Sequence, residues 1–414
     1  MNFILKTFTF ILLFSLKGYS QDFKLLYKLY PPKSSGVQNY SNSTYGTGDF
    51  IKLANNSLFI KSYLDTSFHW HTLNHSDIIF RQKIRPNDDV NTSSFAEDIA
   101  VSQNYLAIAD RRGNDNGYVY DYRGKIYLYK KYQNEWKLYQ TLSSPNGKGD
   151  NFGDNLQIND SLLIVSASGR WKANGTTDDN AIRRPLIYQL NAKGNWILAD
   201  RLPKTSYDTL SVQLPLLLKD NSIISGVGKT LSFFNIKNGK LHLSQKIDNS
   251  QLQIFNHLLT SDNNYFVGVS SMSANFQSHK VVVFEKVKDK WQLHQTLEIP
   301  YKDQISSIGI DNGFLALGLS RNNSILSIDP IPGKVLIFKL NRQQNKWALK
   351  QTIIPKDSYA GDLFGEFLIL RDNKLLVFSE VKNYNTTLKF FQDKGDTAAI
   401  KKMRKNGQIY VYGL

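Results

Sequence analysis

The sequence predicts an all-β fold, a seven-bladed β-propeller of four-stranded antiparallel blades whose ring is closed by pairing of the N- and C-terminal strands. Three observations carry this expectation. A tryptophan-glutamine element recurs seven times, a tight Asn/Asp turn recurs in phase with it, and the two ends of the chain are complementary fragments of one unit. Composition agrees: 13% of the 414 residues are aromatic, which favours strands, and alternation rather than 3.6-residue periodicity dominates.

The first element is clearest in "NEWKLYQTL", with Trp136, Gln140 and Leu142. The spacing returns at Trp291, Gln295 and Leu297 and at Trp347, Gln351 and Ile353, and more weakly at Trp196 in "GNWILADRL". Phe23, Ile78 and Leu241 hold the tryptophan slot in the other three copies. Successive slots lie 45–60 residues apart, the size of one propeller blade. The second element is a short polar turn between two apolar runs, centred on Asn55-Asn56, Gln103-Asn104, Asn159-Asp160, Asp220-Asn221, Asn263-Asn264, Asp311-Asn312 and Asp372-Asn373. Asn and Asp tolerate positive φ and bond their own backbone, so tight hairpins select them. Each unit then reads as strand 1, tight turn, strand 2, variable loop, strand 3 of the "GKIYLYKK" type, short turn, strand 4. The third observation is that "DFKLLYKLY" is a strand 4 without a strand 3, and "NGQIYVYGL" a strand 3 without a strand 4. Pairing them completes a blade and removes the exposed edges of an open array.

Residues 1–20 stand apart. Lys6 precedes the apolar run "TFTFILLFSL", and Gly18 and Ser20 are small residues ahead of a cut before Gln21. This is the pattern of a secretory signal peptide, leaving 21–414 as a single propeller domain, exported to the periplasm or the extracellular space. No later run reaches the roughly 20 apolar residues of a membrane span. The chain has no cysteine, so the core must hold the fold without disulfides.

With these elements in place, the sequence resembles the FG-GAP, or integrin-α-like, propeller repeat over essentially all of residues 21–414. Phe152-Gly153, Phe364-Gly365 and Tyr45-Gly46 occupy the Phe-Gly slot, and "IVSAS" and "AIAD" stand where the family has its GAP-like end. The resemblance would imply a D-x-D-x-D-G calcium loop between strands 1 and 2. Calcium takes 6–8 oxygen ligands, and none of the seven short turns can supply them. The expectation is therefore a propeller with no metal and no cofactor. Asp178 and Asp179 in "GTTDDN" read as a solvated loop, and His69 and His71 in "FHWHTLNHSD", with His75 beyond them, read as strand packing rather than a zinc site.

Strand direction sorts the loops by face. The 1–2 and 3–4 turns share one face and are short. The 2–3 and 4–1 loops share the other, where length accumulates: 110–123, 169–184, 321–333, 31–44 and the longest, 380–406. Long loops on a rigid scaffold are where binding concentrates. Candidate binding residues there are Arg111, Arg112, Tyr120, Arg123, Arg170, Trp171, Arg183, Arg184, Lys401, Lys402 and Arg404. Arginine forks pair with carboxylate or sulfate and aromatic rings stack on sugar faces. The formal charge of +16, or +14 once Lys6 and Lys17 are set aside, favours anionic partners. An exported chain argues against nucleic acid, so the expected partner is a protein or an acidic polysaccharide, held by a monomer. Catalytic signatures are missing: G-x-S-x-G, H-E-x-x-H, a P-loop and a cysteine nucleophile do not occur. The leading expectation is a non-enzymatic binding module; the alternative is a polysaccharide lyase or glycoside hydrolase with its site at the channel mouth.

Overall fold

The computed structural model describes residues 22–29, 51–54, 57–62, 67–73, 78–85, 95–111, 123–147, 149–167, 182–183, 185–202, 205–206, 216–217, 221–227, 230–237, 239–248, 254–271, 279–299, 305–320, 332–359, 362–379, 389, 391–402 and 408–414. The chain opens with strand β1 (Lys24–Leu29), which belongs to the last blade. Blade 1 follows as β2 (Ile51–Ala54), β3 (Ser57–Ser62), β4 (Ser67–Leu73) and β5 (Ile78–Ile84). Blade 2 is β6 (Phe95–Val101), β7 (Tyr105–Asp110), β8 (Lys125–Tyr132) and β9 (Glu135–Ser143). Blade 3 is β10 (Phe152–Ile158), β11 (Leu162–Ala167), β13 (Leu186–Leu190) and β14 (Trp196–Arg201), and a separate ribbon pairs β12 (Ile182–Arg183) with β15 (Thr205–Ser206). Blade 4 is β16 (Leu216–Leu217), β17 (Ile223–Val227), β18 (Thr230–Lys237) and β19 (Lys240–Asp248). Blade 5 is β20 (Ile254–Ser261), β21 (Tyr265–Ser271), β22 (His279–Val287) and β23 (Lys290–Glu298). Blade 6 is β24 (Ile305–Asp311), β25 (Phe314–Leu319), β26 (Lys334–Asn341) and β27 (Lys346–Ile353). Blade 7 is β28 (Phe367–Arg371), β29 (Lys374–Ser379) and β30 (Gln408–Gly413), completed by β1; helix α1 (Thr397–Lys402) lies between β29 and β30. The expected seven-bladed propeller is the observed one, and Lys24↔Gly413 to Leu29↔Ile409 is the antiparallel closure.

Each blade is sandwiched between two others, so strands 2 and 3 carry apolar side chains on both faces: β7, β11 and β25 are buried at every residue. Apolar clusters fill the junctions. One joins Phe59, Phe68 and Trp70 of blade 1 to Phe95, Ile99 and Ile108 of blade 2; another joins Val267 and Val283 of blade 5 to Leu315, Leu317 and Leu336 of blade 6. Strand 4 is the outer edge and alternates with solvent, as in β9.

The tryptophan-glutamine element has a structural purpose that its spacing does not reveal. In a regular strand, residues i and i+4 lie on one face. Every strand 4 breaks this with a β-bulge one residue before the glutamine slot, at Leu26, Arg81, Tyr139, Ala199, Ser244, His294 and Lys350. The extra residue turns the side chains beyond it to the other face. Trp136 therefore packs on blade 1, while Leu142, six residues on, packs on blade 3. Gln140 is turned to the blade 3 side, where its Nε2 donates to the Trp196 carbonyl (2.9 Å) and its Oε1 accepts from the Trp196 N–H (2.9 Å). The same two-bond clamp joins Gln82 to Trp136 (2.9 and 2.8 Å), Gln245 to Trp291 (2.6 and 2.8 Å) and Gln295 to Trp347 (3.0 and 2.8 Å). Gln351 holds Phe23 in this way (3.0 and 2.9 Å), so the clamp also grips the N-terminal strand. At the 3/4 junction Asp200 fills the slot; its carboxylate accepts the Leu241 N–H (2.9 Å) and has no donor for the carbonyl. At the 7/1 junction the slot holds Tyr27.

On the short-turn face, two-residue hairpins join strands 1 and 2 of blades 2, 3, 5, 6 and 7, shifted by one residue at two of the predicted centres, while Asn55-Asn56 and Asp220 lie outside the described residues. Asp311 pairs with Phe314, so the turn is Asn312-Gly313, with φ of 49° and 77°. The Asn159 N–H likewise donates to the Leu162 carbonyl, leaving Asp160-Ser161 as the turn. Neighbouring turns bond to each other. Asp160 accepts from the Ser102 hydroxyl (2.6 Å) and Asn104 Nδ2 (2.9 Å), and Asn159 Nδ2 donates to Asn221 (2.6 Å).

Deleting residues 406–414 removes β30, a central strand of blade 7, and should abolish cooperative unfolding; an unchanged thermal melt would show that the termini do not close the ring. Gln140→Ala breaks both bonds to Trp196. At about 1 kcal/mol for each net hydrogen bond, urea titration should show a loss of about 2 kcal/mol, against under about 0.5 kcal/mol for alanine at exposed Lys137 on the same strand.

Candidate functional site

Strand 1 of a blade is entered through a loop on the long-loop face, and in blades 3 and 7 that loop is the same structure. Asp150-Asn151-Phe152-Gly153 and Asp362-Leu363-Phe364-Gly365 both place two residues in the left-handed region: φ is 49° and 105° in the first, 47° and 89° in the second. Phe152 and Phe364 are buried. In each loop the carboxylate is fixed by an upstream serine, with Ser144 donating to Asp150 and Ser358 to Asp362, both at 2.5 Å. Asp362 also accepts the N–H of Phe364 and of Tyr359, each at 3.2 Å, and burial pushes its carboxyl above the usual carboxylate range despite those donors and the Gly333 N–H. Blade 6 meets this loop at Gly333, where a Cβ would fall 1.9 Å from the Phe364 carbonyl oxygen. Blade 2 uses Phe95-Ala96 in the same slot, with Ala96 at φ 64°. That alanine hides the repeat from a Phe-Gly reading.

These loops position the described part of the predicted binding face. Arg111 follows strand 2 of blade 2 and its Nη1 lies 2.7 Å from Asp154 Oδ1 in strand 1 of blade 3, both side chains part-exposed. Arg123 precedes strand 3 of blade 2, and its carbonyl accepts the Phe152 N–H at 3.2 Å. Arg111 through its side chain and Arg123 through its carbonyl thus each touch blade 3 at the 2/3 junction. Beside them Asp98 is buried, accepting the Leu156 N–H at 2.6 Å and so tying the first strands of the two blades, and Asp110 and Lys125 are buried cross-strand partners. Sequence reading missed these acids; the signal was the "D-x-F-G" spacing for Asp150 and Asp362, and nothing local for Asp98 or Asp154.

Arg183 stands on the β12–β15 ribbon, its Cα opposite Thr205, where the 2–3 loop of blade 3 pairs with the segment after its strand 4. Lys401 is exposed on α1, and the backbone of Lys402 lies in the same helix. The Phe391 and Ala399 side chains of this insertion pack on Tyr359, with Ile400 beside them. Lys401 is carried by blade 7, separated from blade 2 by blade 1. Arg112, Tyr120, Arg170, Trp171, Arg184 and Arg404 lie outside the described residues, as do Tyr45-Gly46, Asp178-Asp179 and His75. A polar groove of about 690 Å³ lies on the opposite, short-turn face, lined by Asp262, Asp311, Asp372 and Arg342 among others. No group of three or more metal-ligating side chains occurs among the described residues, and no helix among them is long and apolar enough to cross a membrane.

No family profile and no curated protein sequence matches this chain. Solved structures do. The β-propeller domain of Cps50 (Swd1) from Myceliophteria thermophila superposes with a TM-score of 0.51 at 9% identity, over 88% of this chain and 96% of that one. A proposed 6-phosphogluconolactonase from Bacteroides uniformis superposes with a TM-score of 0.50 at 11% identity, over 78% and 89%. At such identities the likeness establishes the propeller fold.

Gly365→Ala tests the loop. A Cβ there would meet the Lys334 carbonyl at 2.8 Å from a backbone at φ 89°. Left-handed strain alone costs about 1–2 kcal/mol, so the melting temperature should drop by several degrees; wild-type stability would refute the assignment.

Proposed function

We propose that this chain is an exported binding module, an FG-GAP-type propeller that holds an anionic partner, an acidic polysaccharide or an acidic protein surface, on its long-loop face. The observation that carries this reading is the construction of that face. Among the described residues, the additions to the basic propeller are the β12–β15 ribbon and the α1 insertion; both are made on this face, and they carry Arg183, Lys401 and Lys402. The Arg111–Asp154 pair, part-exposed at 2.7 Å, sets a guanidinium oriented by a carboxylate on this face, the group that pairs best with oxyanions. The repeated D-x-F-G loop supports the kinship with FG-GAP repeats, while the tight 1–2 turns leave the calcium function of that family without ligands. Export rests on the N-terminal sequence pattern. The alternative is a polysaccharide lyase or glycoside hydrolase with its site at the channel mouth, and the same assay distinguishes it.

The test is size-exclusion chromatography of residues 21–414 with a panel of acidic polysaccharides at low and high salt. Co-elution that fades with salt is the expected result. Reversing Lys401, Lys402, Arg404 and Lys405 to Glu should weaken retention at least tenfold more than reversing the strand 4 lysines Lys137, Lys240, Lys290 and Lys346. Shortening of a glycan would make the protein an enzyme, and absence of binding across the panel would refute the glycan reading.

A further inference from the structure

The 7/1 junction differs from the others in its chemistry. Glutamine or aspartate spans the six junctions from 1/2 to 6/7, but here the slot holds Tyr27, whose phenol cannot donate and accept side by side as an amide does. Facing it are two histidines. His69 and His71 occupy alternate positions of β4, are 3% and 0% exposed, and lie 6.3 Å apart between ring centroids. Phe80 of β5 sets its ring edge-to-face against both, at 5.6 and 5.5 Å. Their intervening neighbour Trp70 points into the blade 2 cluster, so the imidazoles point the other way, toward blade 7. Leu58, paired with His71, and Leu73, two residues on, both pack in the cluster containing Tyr27, Leu376, Phe378, Ile409 and Val411 of blade 7.

We propose that the junction between blades 7 and 1 is an acid-labile seam, the place where this propeller opens when its environment falls below neutral pH. Protonation would put two like charges a few ångströms apart in an apolar layer. The titratable and charged groups described beside the pair include no carboxylate. Among the described residues they are Lys83 of β5, the cross-strand partner of His69, and on the blade 7 side the phenol of Tyr27. Burial, reinforced by His69, lowers the His71 imidazole from 6.5 to about 4. The folded form therefore stays neutral while the unfolded one takes up a proton. Stability is full above pH 6.5, falls as the pH drops from 6.5 toward 4, and levels off below. At pH 5 the opening equilibrium should rise roughly thirtyfold from this group alone.

Hydrogen exchange of the intact chain at pH 7.5 and pH 5, corrected for intrinsic rates, tests this. Amides of β4, β29 and β30 should lose at least tenfold in protection at pH 5 relative to those of β26, and H69F/H71F should remove that difference. Uniform loss in all blades, or the same selective loss in the double variant, would overturn the proposal. Should H69F/H71F not fold, His71→Phe alone decides: the selective loss at pH 5 should shrink to under about threefold, and an undiminished loss there would overturn the proposal.

Discussion

Five of the seven blade junctions are tied by one side-chain amide apiece, and a β-bulge makes that tie possible. The outer strand must cover the blade before it and reach the blade after it. A strand of strict period 2 would keep Trp136 and Gln140 on one face. The extra residue at Tyr139 separates them, giving the tryptophan to the preceding junction and the glutamine to the following one. Two opposed hydrogen bonds then fix the register between strand edges that share no ladder. Because Gln351 holds Phe23 by the same geometry, the N-terminal strand is seated from two sides, by ladder pairing with β30 and by the amide of blade 6.

Where the slot changes, the mechanics change with it. Asp200 retains the acceptor and loses the donor, so the 3/4 junction keeps one bond of the two. Tyr27 puts a phenol where the other junctions have an amide or a carboxylate, and the junction it faces holds the two buried imidazoles. Under the proposal above, that is where the ring yields in acid.

The two faces are built on opposite principles. On the short-turn face, turns such as Asp160 and Asn104 bond to one another across blades, so polar groups serve cohesion. On the other face, Asp98, Asp150 and Asp362 are buried, and the β12–β15 ribbon, helix α1 and the part-exposed Arg111 are added there. A rigid acid-capped floor with variable additions above it suits recognition, since the floor keeps its shape whatever the additions become.

The repeat, the blade count, the tight turns and the closure were legible in the sequence, because each is a local pattern repeated seven times: Trp136 to Leu142, Asp311 to Phe314, and the two half-units at Phe23 and Ile409. The histidines of β4 were legible as strand packing. The partner of Gln140 was not, since nothing local distinguishes a glutamine facing solvent from one facing the next blade 56 residues away. Asp98 and Asp154 were invisible for the same reason, and Ala96 concealed a Phe-Gly loop because the left-handed backbone there is imposed by its surroundings rather than by its residue type. The sequence by itself determined the blades, through periodic burial and turn chemistry. The tertiary structure alone decided what joins them, because a bond between blades depends on where a bulge aims a side chain, and that aim exists only once the ring is closed.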